Sequence, residues 1–172
     1  MDVSKDLQIK MYSDPLVFYA AMLDDIQDAT RYIYLEIYRF RNDPIGIRFR
    51  DNLIQKCREG IEVKLLIDSW GASSSIAFFK DLIDAGGEVK FFKQIRLTWD
   101  TFTKNHRRDH RKILVIDDHI TYIGSANIVS YAINWRESMF RIKGEIALNF
   151  KELFFENLGI YKIGRASCRE RV

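Results

Sequence analysis

Two four-residue apolar runs, ILVI at 113–116 and ITYI at 120–123, stand three polar residues apart, separated by Asp117, Asp118 and His119. Runs this short, rich in β-branched residues and joined by so tight an acidic connection, read as a strand hairpin. The flanks of that hairpin are polar in a fixed pattern. His110 and Lys112 precede it, and Gly124, Ser125 and Asn127 follow it, giving His-x-Lys-x4-Asp-x6-Gly-Ser-x-Asn. Side chains two apart on a strand share a face. His110 and Lys112 therefore project together, and Ser125 and Asn127 join them if the extended path continues. An imidazole beside an ammonium, a hydroxyl and a carboxamide suits an anionic substrate, because His attacks or shuttles protons near neutral pH and the other three donate hydrogen bonds to phosphoryl oxygens.

The rest of the chain alternates strand and helix signals. LQIKMY at 7–12 alternates apolar and polar residues as a strand does. Asp14-Pro15 and Asp43-Pro44 each pair an N-cap with proline at the first helical position, predicting helices to about residue 29 and up to Gly60. YIYLEIYRF at 32–40, VKLLID at 63–68 and VKFF at 89–92 read as strands, SSSIAFFKDLIDAGG at 73–87 as a third helix, MFRI at 139–142 as a last strand and about 145–157 as a last helix. This order predicts an α/β domain with a mixed, parallel-rich sheet flanked by helices on both faces.

At 172 residues, 47% hydrophobic and 30% charged, the chain can bury a core and is not disordered. A net charge of +3 names no partner. The two cysteines, Cys57 and Cys168, have no paired spacing, which fits a reducing compartment and argues against a zinc site. No apolar run reaches membrane-spanning length, and the first ten residues lack a signal core. The tail IGRASCRERV at 163–172 breaks the pattern and resembles the translation of a sequencing adapter; residues 1–162 are the expected single domain. Setting aside its three arginines and one glutamate lowers the net charge from +3 to +1, and the natural reading frame would then continue past about Tyr161. The long connection at 93–109 is basic, with Trp99 and Phe102, and reads equally as a phosphate-attracting rim and as a solvated loop.

The hairpin motif is similar to that of the phospholipase D superfamily. The flanks YLEIYRFRNDPIGIRFRDNLIQKCREGIEVKLLIDSWGA at 34–72 and WRESMFRIKG at 135–144 resemble the amino-terminal catalytic half of bacterial cardiolipin synthases. The resemblance spans about residues 7–158. It implies a phospholipase D-like catalytic domain in which His110 attacks phosphorus to form a phosphohistidine. Lys112 and Asn127, helped by Ser125, would hold the non-bridging oxygens without a metal or cofactor. Glu137 would fix the tautomer of His110, and Asp117 belongs to the motif but reads as mainly architectural. Arg108 and Arg111 are candidate substrate-binding cations. His106 and His119 read as loop and turn histidines. Glu36, a carboxylate inside an apolar strand, either lines the site or is capped by a cation. Asp68 reads first as a cap on the turn after its strand.

The superfamily uses two such histidines across a pseudo-twofold axis, and this chain carries one. Either a second half is missing or two copies pair. The implied function is that of a bacterial phosphatidyltransferase of cardiolipin synthase type. It would act on phosphatidylglycerol as a peripheral protein on the cytoplasmic side of the inner membrane. The alternatives are a homodimeric phosphodiesterase acting on nucleic acid or lipid, and a catalytically incomplete module that binds anionic ligands.

Overall fold

The computed structural model describes residues 7–68, 74–92 and 110–166, the last seven of these as backbone only. The chain runs β1 (Gln8–Tyr12), α1 (Pro15–Gln27), β2 (Tyr32–Ile37), α2 (Pro44–Arg58), β3 (Glu62–Asp68), a 3-10 turn (Ile76–Phe79), α3 (Lys80–Asp84) and β4 (Glu88–Phe92). After residues 93–109 it continues with β5 (Ile113–Ile116), β6 (Ile120–Gly124), a second 3-10 turn (Ser130–Ala132), β7 (Met139–Lys143) and α4 (Ala147–Ala166).

The strands form one sheet in the order β1-β7-β6-β5-β2-β3-β4. The β2–β3 and β3–β4 ladders are parallel and the other four are antiparallel. Only β5 and β7 run against the rest, so β1, β2, β3, β4 and β6 share one direction. The sheet is thus mixed and rich in co-directional strands, as the alternation of elements predicted.

The helix starts follow the expected chemistry. The Asp14 carboxylate accepts from Leu16 N at 2.9 Å and that of Asp43 from Gly46 N at 3.0 Å, with proline next in each case. The region expected as a helix at 73–87 is broken instead. The Ser74 hydroxyl donates to the Phe40 carbonyl at 2.7 Å and ties down the entry to the segment. The adjacent rings of Phe78 and Phe79 are both buried against Phe40, an arrangement that the tighter 3-10 turn serves before one short helix follows.

Alternation along the central strands gives two cores. Ile33, Leu35, Ile37, Val63, Leu65, Ile67, Leu114 and Ile116 pack under α1, α2 and α3. Tyr32, Tyr34, Leu66, Ile113 and Val115 face Phe154 and Leu158 of α4. The second core is aromatic: Tyr34 stacks on Phe154 at 5.2 Å and on Tyr32 at 4.4 Å. Cys57 is reduced and buried in the first core, where burial pushes its thiol pKa up. Among the described residues, no helix is long and apolar enough to cross a membrane.

Candidate active site at the open end of the hairpin

The two ends of the β5–β6 hairpin have opposite characters. At the closed end, Asp117 sits at φ 51°, the left-handed region that Asp tolerates better than most residues. Its carboxylate accepts four hydrogen bonds: from Thr30 N (3.1 Å), Thr30 Oγ1 (2.9 Å), Arg31 N (2.9 Å) and Tyr32 N (3.0 Å). Burial alone would raise its pKa, but these donors together hold it below the ordinary carboxylate value. Asp118 beside it accepts from Tyr32 Oη at 2.6 Å and pairs with Arg31 at 2.6 Å and Lys151 at 3.1 Å. Led by the Tyr32 hydrogen bond, these contacts bring its pKa down to about 2. Asp117 therefore clamps the entry to β2 and lies at the far end of β5 from His110, roughly 20 Å away at strand rise.

At the open end lie His110, Lys112, Ser125 and Asn127. His110 is exposed and its ring lies 4.8 Å from that of Tyr38, just after β2. Lys112 is 5% exposed, and its ammonium donates to the His110 carbonyl at 2.6 Å and lies 5.3 Å from the Tyr38 ring centre. The Ile113–Ile123 register, carried one step further, sets Lys112 across from Gly124. Glycine is required there. A Cβ on Gly124 would meet the Ser138 carbonyl at 2.1 Å, so the close approach of β7 excludes any side chain.

Beyond Gly124 the extended path does not continue. The chain bends at Ser125, whose N–H donates to the Ser138 carbonyl at 2.9 Å. The Ser125 hydroxyl donates to Glu137, and Ser138 N donates back to it at 3.1 Å. Glu137 was expected against His110. Its hydrogen bond is with Ser125 instead, because the β6–β7 pairing brings the end of one strand against the start of the other. Asn127 Oδ1 accepts from Arg39 N at 3.0 Å, so the group that this side chain can offer a ligand is its amide nitrogen.

The strand directions explain this gathering. Tyr38 and Arg39 follow β2, Asn127 follows β6, and His110 precedes β5, which runs the other way, so all lie at one end of the sheet. That is the carboxyl end of the co-directional strands, where α/β sheets hold ligands. Strand alternation turns Arg111 to the opposite face from Lys112. There it pairs with Glu36 at 2.9 Å, and Asn157 of α4 donates to both Glu36 oxygens at 3.1 and 3.0 Å. Arg111 thus compensates a carboxylate that is 1% exposed, which also answers how Glu36 is tolerated in an apolar strand. Asp68 is buried at the end of β3. Arg108, His106, Trp99, Phe102 and the Ser69-Trp70-Gly71 turn lie outside the described residues.

Sequence reasoning missed four participants. Tyr38 and Arg39 stand directly after an apolar strand at its ligand-binding end, a signal that the YRF run carried. Tyr19 of α1 donates to the Asn127 carbonyl at 2.5 Å and, 3.4 Å away, to that of Val129. Burial drives its pKa up to about 12. Tyr131 donates no local motif signal at all; only the fold brings it within 2.9 Å of Arg39 Nη1.

The sequence of residues 22–158 matches the family described as "Cardiolipin synthase, PLD-like domain". The chain belongs to this family. Cardiolipin synthase 1 of Staphylococcus epidermidis is 36% identical over 151 residues, which cover 84% of this chain and 31% of that protein. The major cardiolipin synthase of Bacillus subtilis is 32% identical, covering 82% of this chain and 31% of that protein. The chain thus spans about a third of the length of these curated relatives. Among solved structures, the phospholipase D family member Nuc from Salmonella typhimurium superposes with a TM-score of 0.70 at 19% identity, covering 89% of this chain and 95% of that one. A phosphatidylserine synthase from Haemophilus influenzae superposes with a TM-score of 0.65 at 19% identity, covering 84% of this chain and 35% of that one. These two likenesses establish the fold, which is the phospholipase D-like fold that the motif implied.

Proposed function

We propose that this domain is the amino-terminal catalytic half of a phosphatidyltransferase of the cardiolipin synthase type. The observation that carries the reading is the family match over 22–158 together with the placing of His110 and Lys112 at one sheet end with Asn127. In this reading an imidazole nitrogen of His110 attacks the phosphorus of phosphatidylglycerol. A phosphorus–nitrogen bond forms, the bond to glycerol breaks, and the leaving oxygen takes a proton from the second histidine of the complete enzyme. A hydroxyl of a second phosphatidylglycerol then gives up its proton to that histidine, attacks the same phosphorus and frees His110. Lys112 and the Asn127 amide hold the oxygens on which charge develops, and Glu137 acts by fixing the Ser125 hydroxyl.

The second histidine comes from a following half of the protein. A second reading, in which it comes from another copy of this chain, rests on the 95% coverage of the Nuc chain by this one. The test supplies phosphatidylglycerol vesicles to the chain and measures released glycerol and phosphate retained on the protein. Glycerol release or a lipid-phosphate adduct that vanishes in His110→Ala supports the transferase. Cleavage of DNA or of a soluble phosphodiester with no turnover of phosphatidylglycerol overturns it in favour of the homodimeric phosphodiesterase.

A further inference from the structure

Beside Asn127 the structure holds an aromatic and cationic surface that the chemistry above does not use. Arg39 and Arg41 flank the buried Phe40 and are both exposed, so they project to the same side. Tyr131 stands between them. Its hydroxyl lies 2.9 Å from Arg39 Nη1, and the Arg41 guanidinium lies 5.4 Å from its ring centre. Trp135 meets Tyr131 edge-on at 5.3 Å and remains 55% exposed, with the exposed Arg136 next to it.

This surface is built, not incidental to loose loops. The segment after β2 and the segment after β6 are zipped together: Ile128 N donates to the Arg39 carbonyl at 3.0 Å and Arg41 N to the Ile128 carbonyl at 3.1 Å. The turn bearing Tyr131 is pinned to the start of α2, where Ser130 N donates to Asp43 at 2.7 Å and Ile45 N to the Ser130 hydroxyl at 3.1 Å. Trp135 N donates to the Ala132 carbonyl at 2.9 Å. Asp43 and Glu137, the acidic residues of these segments among the described residues, are each hydrogen-bonded, Asp43 to the α2 cap and Ser130 N and Glu137 to the Ser125 hydroxyl. The outward chemistry is therefore cationic and aromatic.

We propose that Tyr131, Trp135, Arg39 and Arg41 form the face by which this domain docks on an anionic phospholipid surface. An exposed indole is amphipathic and partitions to the headgroup level of a bilayer. Guanidinium groups beside it gain from the negative surface potential of anionic lipid. The placement is what makes docking useful. Arg39 holds Asn127 through its backbone and Tyr131 through its side chain, so a lipid phosphate caught on this face lies next to the hairpin's open end. The inference rests on the phospholipid reading of the site, but its test does not depend on turnover.

The experiment sediments the purified 172-residue chain with vesicles of phosphatidylglycerol in phosphatidylcholine, and with phosphatidylcholine alone. Binding is expected to the first and not the second. Arg41→Ala should lower partition about fivefold, the effect of roughly one cation near such a surface, and Trp135→Ala should lower it by removing the interfacial indole, while circular dichroism stays unchanged. His110→Ala should bind as the parent does. Equal binding of both variants, equal binding to neutral vesicles, or displacement from vesicles by a tighter-bound single-stranded oligonucleotide would overturn the proposal, the last result assigning the surface to base stacking. Docking sensitive to Trp135 together with cleavage of DNA or a soluble phosphodiester in place of phosphatidylglycerol turnover removes the transferase reading and keeps this one; glycerol release with docking indifferent to Trp135 does the reverse.

Discussion

The closed and open ends of the β5–β6 hairpin are built from the same short motif and have opposite physics. At the closed end Asp117 and Asp118 are saturated with donors, and both carboxylates are held in their charged form. At the open end His110 and Ser125 are exposed, Lys112 donates to the His110 carbonyl, and Asn127 accepts through Oδ1, so that its amide nitrogen is the group it can offer a ligand. Saturation gives stability and forfeits chemistry; partial bracing gives chemistry and contributes less to stability. One motif thus encodes a clamp and a candidate site some 20 Å apart at strand rise.

The largest effect should separate the two ends outright. His110→Ala is expected to remove phosphoryl transfer by about 10⁴-fold or more, as loss of a nucleophile does in other covalent enzymes, while the urea midpoint stays within error. The mirror experiment is Asp117→Ala, which strips four hydrogen bonds from partly buried donors. It should cost about 3–5 kcal/mol in urea unfolding, with turnover per folded molecule retained. If D117A instead abolishes turnover at full stability, the division between the ends is wrong.

Gly124→Ala comes next, since its Cβ would collide with the Ser138 carbonyl and the β6–β7 pairing must yield. A loss of about 2–3 kcal/mol is expected, accompanied by a fall in activity, because Ser125 and Glu137 move with that pairing. Retained activity would show that the Ser125–Glu137 contact is dispensable.

The smallest effect is in pH. Asp117 and Asp118 have folded-state pKa values below their unfolded ones, so their stabilisation is complete above about pH 4 and is lost as pH falls towards 2. For Asp118, on the surface and screened by solvent, the share is about 1 kcal/mol. Asp118→Asn should lower stability at neutral pH by about that amount and leave the value near pH 2 little changed, which flattens the acid limb. An unchanged acid limb would mean that the Arg31 and Lys151 pairs are ornamental.

How much of this was legible in the chain divides along a physical line. The hairpin, both Asp-Pro helix starts and the helix-flanked mixed sheet follow from local signals, because caps, apolar period and turn chemistry act within a few residues. The residues 73–87 misled because the apolar spacing there is helical, while Ser74 and the twin phenylalanines answer to Phe40, more than thirty residues away. The partner of Glu137 and the task of Arg111 were hidden for the same reason. Each is set by which strand lies alongside, and strand register is a property of the whole sheet. Tyr38 and Arg39 were readable in principle from their place after an apolar strand, whereas Tyr19 and Tyr131 reach the site only through tertiary packing.

The pairing of β1 with β7 has a temporal consequence. Gln8 lies opposite Lys143 and Tyr12 opposite Met139, so β1 leaves the ribosome well before β7, the strand it pairs with. At ordinary elongation rates of about 5–20 residues per second, β1 waits roughly six to twenty-five seconds for that partner. During that time Ile9 and Met11, which are 60% and 58% exposed even in the finished domain, sit on an unpaired edge. The nascent chain is then most open to aggregation, and slowing synthesis between β1 and β7 should lower soluble yield more than slowing it after Lys143.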